Sequence, residues 1–258
     1  MRRFMTIVFF LTSSAIVSFA QSQKYSPANL HSHNDYDRPD PFYNAFKNGI
    51  GSIEADIFLH DGKLLVAHEL NELRASRTLE RLYLRPLQKM IRKNGKYLFA
   101  GNTHNLILLI DVKSAARPAI DSLVQLLKNF PELITSPVLK IAISGNRPAL
   151  NEWKLFPDFI YFDGVAGKNY PDSALGRIAL MSENFHNFSD WIGSGPVDKE
   201  QMAALQKLVE NEHARNKLVR LWYTPDNKAT WDLFMKLGVD LINTDKVDEA
   251  AEYILGIP

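Results

Sequence analysis

The stretch LILLIDVK, from Leu106 to Lys113, begins with five consecutive aliphatic residues and ends in an acid and a base two residues apart. An unbroken apolar run of this kind is typical of a parallel strand that is buried on both faces. Seven other short β-rich runs occur along the chain. The eight predicted strands are Ala28–Asn34, Ser52–Leu59, Leu106–Lys113, Val138–Ser144, Phe159–Asp163, Arg177–Ser182, Leu218–Tyr223 and Leu241–Asp245.

Segments with helical patterns separate most of these strands. They cover Pro41–Asn48, Thr78–Arg92, Arg117–Asn129, Pro148–Lys154, Asp198–Glu212, Asn227–Leu237 and Val247–Leu255. Eight strands that alternate with helices favour either a closed barrel or a doubly wound sheet. The connection over 164–176 is the weakest point for a barrel, because it shows no regular pattern.

Charge and cysteine content exclude several classes of protein. The chain has 30 Lys and Arg against 29 Asp and Glu, so it lacks the basic surface of a nucleic-acid-binding protein, and we expect no nucleic-acid partner. It contains no Cys, which excludes thiolate chemistry, disulfides and Cys-ligated zinc. Any bound metal must therefore use carboxylates, histidines, amide oxygens or water.

The N-terminus has the composition of an export signal. Arg2 and Arg3 precede a mostly apolar run from Phe4 to Phe19, and small residues surround the expected cleavage point after Ala20. This pattern predicts a cleaved signal peptide over 1–20, with an uncleaved anchor as the alternative. We therefore expect a secreted or periplasmic protein in which 21–258 form one domain, since α/β barrels commonly take about 200–250 residues as one unit.

Acidic residues recur where the second and third predicted strands end. Side chains alternate along a strand, so Glu54 and Asp56 share one face, as do Asp111 and Lys113. If all three acids face the mouth of a barrel, one divalent cation would relieve their repulsion, and oxygen ligands suit Ca²⁺ or Mg²⁺. The alternative is that Glu54 and Asp56 lie on a solvated edge strand. Their apolar neighbours argue against it, namely Ile53, Ala55 and Ile57.

Three motifs near the N-terminus carry a family resemblance. They are HNDY at 33–36, IEAD at 53–56, and DGKLLVAH at 61–68, where the Asp61-Gly62 turn leads into a short returning strand. Together they resemble the superfamily of phosphoinositide phospholipases C and glycerophosphodiester phosphodiesterases. They are most similar to its branch with an HSHNDY signature, that of the altered-inheritance-of-mitochondria proteins. The segments 221–224 and 237–245 are similar to the last two strands of glycerophosphodiesterases. This resemblance implies a single (β/α)₈ barrel and a phosphoric diester hydrolase.

The resemblance also implies roles for individual residues. His68 matches the second catalytic histidine of the superfamily, and Glu54 with Asp56 matches its metal-binding pair. On the third strand Asp111 matches a metal ligand, and Lys113 matches the lysine that meets the phosphate.

The first catalytic histidine has two candidates. In the register of eukaryotic phospholipases C, His33 is catalytic and Asn34 binds the metal. In the register of sphingomyelinase-D-like relatives, His31 takes the catalytic role, again with Asn34. We favour His33. Trp222, at a predicted strand end, either flanks the substrate or is a core aromatic residue.

These observations predict a metal-dependent phosphodiesterase that uses two-histidine acid–base catalysis and one Ca²⁺ or Mg²⁺ ion. Its substrate would be a small phosphodiester, such as a glycerophosphodiester, or a phospholipid reached at a membrane surface, and we expect a monomer. One alternative is a PHP-type or amidohydrolase-like enzyme in which His31 and His33 bind several transition metals; such sites need further histidines at later strand ends. The other is a non-catalytic barrel that binds lipid or sugar phosphates.

Overall fold

The computed structural model describes residues 24–101 and 104–256. The predicted signal peptide, 1–20, lies outside the described residues. The described residues form nine strands: β1 (Leu30–Ser32), β2 (Ser52–His60), β3 (Lys63–Val66), β4 (Leu106–Val112), β5 (Leu139–Gly145), β6 (Ile160–Val165), β7 (Ile178–Asn184), β8 (Val219–Trp222) and β9 (Leu241–Thr244).

Eight of the described helical segments are α-helices. They are α1 (Tyr43–Lys47), α2 (Arg85–Lys93), α3 (Ala116–Leu127), α4 (Pro131–Ile134), α5 (Asp172–Leu175), α6 (Lys199–His213), α7 (Lys228–Leu237) and α8 (Val247–Leu255). The predicted helix over Thr78–Arg92 starts with a π-helical turn, Glu80–Leu84, and the one over Pro148–Lys154 is a 3₁₀ helix, Leu150–Leu155. None of the helices described is long and apolar enough to cross a membrane.

Eight parallel strands close into a barrel. The sheet runs β1-β2-β4-β5-β6-β7-β8-β9, and β9 pairs with β1 in parallel, which closes the ring. β3 lies outside this ring and pairs antiparallel with β2. All eight predicted strands are confirmed as members of the ring, and the single (β/α)₈ barrel is confirmed over the doubly wound sheet. The irregular connection over 164–176 holds only the short helix α5, and the ring closes across it nonetheless.

The alternation of side chains divides the core into two parts. Outward-facing residues of the strands, such as Ile53 and Ile57 of β2, pack with the helices in one large cluster. Inside the ring a small apolar cluster fills the lower part of the barrel: Ile107, Leu109, Ala142, Ala179, Leu180 and Leu241. Towards the carboxyl ends of the strands, the inward-facing residues become polar. In (β/α)₈ barrels this is the end at which active sites lie.

One irregularity in the ring affects the polar end. Between β6 and β7 the register shifts, because Phe162 pairs with Ile178 whereas the next residue, Asp163, pairs with Leu180. β7 therefore contains one extra residue, Ala179, at this point. Such a bulge changes the direction in which nearby side chains point.

Candidate active site

The three predicted carboxylates meet inside the barrel. Glu54 and Asp56 lie on β2, and Asp56 is the direct register partner of Asp111 on β4. Each of the three residues offers an oxygen atom that lies within 4.8 Å of the other two. Glu54 and Asp56 are 5% and 0% exposed, so β2 is not a solvated edge strand.

Hydrogen bonds to Glu54 occupy only one of its oxygens. His31 Nε2 lies 2.7 Å and Arg220 Nη2 lies 3.1 Å from Glu54 Oε2. Burial alone would raise the pKa of Glu54, but the Arg220 guanidinium and the His31 hydrogen bond hold this pKa well below its usual range. The carboxylate is therefore ionised, and Oε1 is left for another ligand.

Asp56 shows the same division between its two oxygens. Its Oδ2 accepts a hydrogen bond from Tyr36 Oη at 2.8 Å, and it lies 3.1 Å from His68 Nδ1 and 3.0 Å from Lys113 Nζ. Oδ1 is buried and has no hydrogen-bond partner among the described residues. Burial and the neighbouring charge of Glu54 raise the pKa of Asp56, although Lys113 opposes this shift. A further positive charge at Oδ1 would therefore stabilise the site.

Asp111 completes the cluster and is fixed from β5. Ser144 Oγ donates to Oδ2 at 3.1 Å, and Lys113 Nζ lies 3.1 Å from Oδ1. Even so, Oδ1 accepts no hydrogen bond of good geometry from a described residue. Gly145 follows Ser144 with φ of +64°, and a Cβ at this position would come within 2.3 Å of Asp111 Oδ1. Glycine is therefore required for the carboxylate to keep its position.

The open oxygens fit a divalent cation. Glu54 Oε1, Asp56 Oδ1 and Asp111 Oδ1 belong to one small cluster. The two aspartate oxygens are buried and accept no hydrogen bond of good geometry among the described residues, although Lys113 Nζ lies 3.1 Å from Asp111 Oδ1. Buried carboxylate oxygens in this state are costly unless a cation or a donor satisfies them. Three hard oxygen ligands with room for water and phosphate match the preferences of Ca²⁺ and Mg²⁺. The cluster could therefore hold one divalent ion.

Lys113 stands beside this cluster as a permanent cation. Burial tends to lower the pKa of its ammonium group, but the charges of Asp111 and Asp56 outweigh burial and raise it. Lys113 therefore remains protonated and faces the cavity described below.

The two candidate histidines of the first strand have different environments. His31 is completely buried, and its Nδ1 lies 2.8 Å from Ser52 Oγ while Nε2 faces Glu54. Since Nε2–H donates to a carboxylate, Nδ1 accepts from the serine hydroxyl, and the neutral ring has no free nitrogen. Burial and the nearby Arg220 lower the pKa of His31 to about 3. His31 is therefore placed to orient the carboxylate of Glu54.

His33 has one nitrogen engaged and lies on the cavity wall. Its Nδ1 lies 2.8 Å from Asp245 Oδ1, and its side chain is 32% exposed. Burial would lower the pKa of His33, but the hydrogen bond that its Nδ1–H donates to Asp245 and the charge of Glu54 raise it. With Nδ1–H donating to Asp245, Nε2 is the acceptor of the neutral ring.

His68 lies on the other side of Asp56, just beyond β3. Its side chain is 49% exposed, and Nδ1 is 3.1 Å from Asp56 Oδ2 and 3.2 Å from Tyr36 Oη. Tyr36 Oη is also 2.9 Å from Asn34 Oδ1. Asn34 is thus connected to the carboxylates through Tyr36, and its own oxygen is already engaged.

A cavity of about 570 Å³ opens above the cluster. Trp222, at the end of β8, is 42% exposed and lines this cavity, so it is not a core aromatic residue. Further polar residues line the cavity that were not predicted as site residues from the sequence. They are Arg220, Arg147 and Asn243, together with Asp163 and Asp245, which the sequence indicates only as strand ends.

Arg220 carried a signal that could have identified it. It is the only charged residue in the predicted strand Leu218–Tyr223, and it precedes Trp222 by two residues, so both face the same side. A buried charge on a barrel strand needs partners. Arg220 finds them in Glu54 and in Asn243 Oδ1, which lies 2.8 Å from Nη2.

Comparison with known proteins agrees with this geometry. Residues 20–133 match the family model described as "AIM6-like phosphodiesterase domain", and residues 219–248 match "Glycerophosphoryl diester phosphodiesterase family". The altered inheritance of mitochondria protein 6 homolog of Arthroderma benhamiae is 31% identical over 266 residues, covering 88% of this chain and 84% of the relative. The chain belongs to the altered inheritance of mitochondria protein 6 family. The family member from Eremothecium gossypii is 27% identical, covering 87% of this chain and 69% of the relative.

Solved structures show the same fold. A glycerophosphodiester phosphodiesterase from Parabacteroides distasonis has a TM-score of 0.54 at 14% identity, over 89% of this chain and 94% of its own. An Oleispira antarctica phosphodiesterase, solved with the product sn-glycerol-3-phosphate, has the same TM-score and identity over 88% of this chain and 96% of its own. The predicted resemblance to this superfamily is confirmed.

The predicted secreted or periplasmic location is wrong. The curated relatives are named for the inheritance of mitochondria, which points to a role within the cell and not to export. The prediction depended on 1–20 alone, and this segment lies outside the described residues. A basic start followed by a short apolar run is a compositional pattern, and composition alone did not establish the destination of the chain.

Proposed function

We propose that this chain is a metal-dependent phosphodiesterase that hydrolyses a small phosphodiester, with His33 and His68 as its acid–base pair. The observation that carries the proposal is the cluster of Glu54, Asp56 and Asp111, which lies against a cavity lined by Glu54, Asp111 and Lys113. The phosphodiesterase description of the matching family model supports the same chemistry.

Charge balance at the floor of the cavity favours a phosphodiester. Three carboxylates in contact with Lys113 and Arg220 leave one net negative charge. A bound divalent cation would change this to one net positive charge. A phosphodiester carries a single negative charge, so its binding would bring the carboxylates, the two cationic side chains and the metal ion to a net charge of zero. A neutral set of charges has the lowest desolvation cost in a largely buried site.

The residues of the chain have distinct roles in this proposal. When bound by Glu54, Asp56 and Asp111, Ca²⁺ or Mg²⁺ supplies charge stabilisation for the non-bridging phosphate oxygens. Lys113, on the cavity wall beside them, binds and orients the same phosphate. Asn34 remains a predicted ligand that would have to exchange its contact with Tyr36.

The two histidines move the protons. His33, oriented by Asp245 through Nδ1, presents Nε2 to the cavity, where it accepts a proton from the attacking hydroxyl group or water. His68, held by Asp56 and Tyr36, donates a proton to the departing oxygen. His31 is excluded from this exchange in our proposal, because both of its ring nitrogens are engaged in a buried site.

The multi-metal alternative has little support in the described strands. After His31 and His33, the later strands end at the cavity in serine, aspartate, asparagine, arginine and tryptophan side chains, and no histidine from them lines it. A measurement of phosphodiester turnover distinguishes the proposed enzyme from the alternative, a non-catalytic barrel that binds lipid or sugar phosphates.

The test is a screen of phosphodiesters, including glycerophosphodiesters, phosphatidylinositol, lysophospholipids and bis(p-nitrophenyl) phosphate. A glycerophosphodiester comes first, because the Oleispira enzyme holds sn-glycerol-3-phosphate on the same fold. We expect turnover with Mg²⁺ or Ca²⁺ that EDTA removes and that Asp56→Asn abolishes. Asp158→Asn is the matched control, since Asp158 is fully exposed at the opposite end of β6. Absence of turnover on every substrate would contradict the proposal.

A further inference from the structure

The hydroxyl group of Tyr36 lies at the junction of the carboxylate cluster and His68. Its Oη is 2.8 Å from Asp56 Oδ2, 2.9 Å from Asn34 Oδ1 and 3.2 Å from His68 Nδ1. Tyr36 is only 1% exposed, so bulk solvent does not compete for these contacts. One uncharged hydroxyl therefore contacts an expected metal ligand and a proposed acid–base histidine at the same time.

The hydrogen count of this hydroxyl sets the direction of each contact. A phenol carries one hydrogen and keeps it near neutral pH, so Oη can donate to only one of its two oxygen neighbours. The Asp56 carboxylate is the stronger acceptor, because hydrogen bonds to charged groups are roughly twice as strong as neutral ones. A lone pair of Oη then faces His68, and His68 must donate to it from Nδ1.

The second nitrogen of His68 is left for proton exchange. Asp56 Oδ2 lies 3.1 Å from His68 Nδ1 and can only accept, so it favours the same proton position as the Tyr36 hydroxyl. On the other side of the ring, Glu69 Oε1 is 3.8 Å from Nε2, which is too far for a hydrogen bond. Nε2 is therefore the nitrogen that can give a proton to a departing oxygen.

The backbone around Tyr36 is fixed by residues outside this network. The guanidinium of Arg77 donates to the backbone carbonyl of Tyr36. The preceding residue, Asp35, is completely buried and accepts hydrogen bonds from Phe42 N at 2.6 Å and Tyr83 Oη at 3.0 Å. Groups that act in a site need such support to hold their geometry.

We infer that Tyr36 is a positioning residue that orients Asp56 and His68 through its one hydroxyl group. This inference rests on the proposed function, because it concerns the same cation site and the same acid–base pair. By donating to Oδ2 of Asp56, the hydroxyl leaves Oδ1 free for a ligand. By accepting from Nδ1 of His68, it keeps Nε2 available. Phenylalanine would fill the same space but provide neither contact.

The first measurement is the Mg²⁺ affinity of EDTA-treated protein by isothermal titration calorimetry. Loss of a residue that orients a metal ligand typically weakens binding about 10- to 100-fold, and we expect a loss of this size in Tyr36→Phe. Tyr253→Phe is the matched control. It removes a hydroxyl that donates to Asp232 Oδ1 at 2.9 Å, between α7 and α8 and away from the cavity, and should bind Mg²⁺ as wild type does.

The second measurement is phosphodiester turnover at saturating Mg²⁺, where a weaker cation affinity no longer matters. Tyr36→Phe should lower kcat about 10- to 100-fold, with KM changed less than about twofold because no substrate contact is removed. If Tyr36 acts through His68, the two losses are not additive. Adding Tyr36→Phe to His68→Ala should therefore lower kcat by less than about threefold further.

Each outcome decides part of the inference. An unchanged Kd for Mg²⁺ in Tyr36→Phe, or an unchanged kcat at saturating Mg²⁺, would overturn it. A full 10- to 100-fold loss on top of His68→Ala would also overturn it, since Tyr36 would then not act through the histidine. If wild-type protein binds Mg²⁺ but turns over no phosphodiester, the proposed function fails, and the Mg²⁺ titration still decides whether Tyr36 orients Asp56.

Discussion

Divalent cations should stabilise this protein, and Asp56→Asn should remove that effect. The structure sets the expected size. Three clustered carboxylates are only partly balanced by Lys113 and Arg220, so the folded chain offers a cation site that the unfolded chain lacks. At a cation concentration of about 100 times Kd, such linkage contributes about 2.7 kcal/mol. For a domain of this size each kcal/mol raises Tm by roughly 2–4 °C, which gives a rise of about 5–11 °C.

Asp56→Asn has opposite effects with and without the cation. Because burial and Glu54 raise the pKa of Asp56, the folded protein disfavours its ionised form. A neutral amide removes this cost, so the variant without cation should melt no lower than wild type. With cation it should show little of the wild-type rise, since a charged ligand is lost.

The assay is differential scanning calorimetry of EDTA-treated protein, with Mg²⁺ or Ca²⁺ added stepwise. Asp158→Asn, an exposed acid far from the cluster, should respond as wild type does. The reasoning is refuted if Asp56→Asn gains as much in Tm as wild type, or if neither cation changes the Tm of wild-type protein at millimolar concentration.

Three further predictions address single residues. His33→Ala should lower kcat about 10²–10⁴-fold with Tm nearly unchanged. His31→Ala should instead lower Tm, because it removes a buried hydrogen-bond partner of Ser52 and Glu54. The reverse result in kinetics and melting would transfer the catalytic role to His31. Burial raises the pKa of Asp163 in the folded protein to about 6, so its ionisation destabilises wild-type protein increasingly from about pH 4 to 6. Asp163→Asn should therefore stabilise the fold above pH 6 by up to about 3 kcal/mol. Denaturant unfolding at about pH 4 and 7.5 measures this, and equal stability of the variant and wild type at the higher pH would contradict it. Gly145→Ala should weaken cation binding about tenfold or more in calorimetry through its clash with Asp111, and an unchanged Kd would show that the loop adapts.

The barrel could be predicted from the sequence because its strands are buried on both faces. Runs such as Leu106–Ile110 are continuous and apolar, and turns such as Asp61-Gly62 separate them clearly; both turn residues adopt positive φ, of +47° and +72°. The connection over 164–176 could not be predicted, because its single short helix contributes little regular pattern. The bulge at Ala179 was also not predicted, since it depends on how two strands fit together in space.

The site was predicted only in part, for a related reason. Glu54 and Asp56 share a face through strand alternation, which is a local property. His31 and His33 are two residues apart, so strand alternation places both on the same side. Only their three-dimensional surroundings distinguish the buried ring of His31 from the ring of His33 on the cavity wall. Arg220 is distant from Glu54 in the sequence, so their contact arises only when the barrel closes.

The proposed activity of this barrel is the hydrolysis of phosphodiesters with a bound cation. The most direct measurement is the steady-state rate on glycerophosphodiesters and bis(p-nitrophenyl) phosphate, with Mg²⁺ or Ca²⁺ and again after EDTA, for wild-type protein, His33→Ala and His68→Ala. We predict a cation-dependent rate in wild-type protein and a loss of about 10²–10⁴-fold in each variant. A wild-type rate that is unchanged by EDTA, or that both variants retain, would contradict the account.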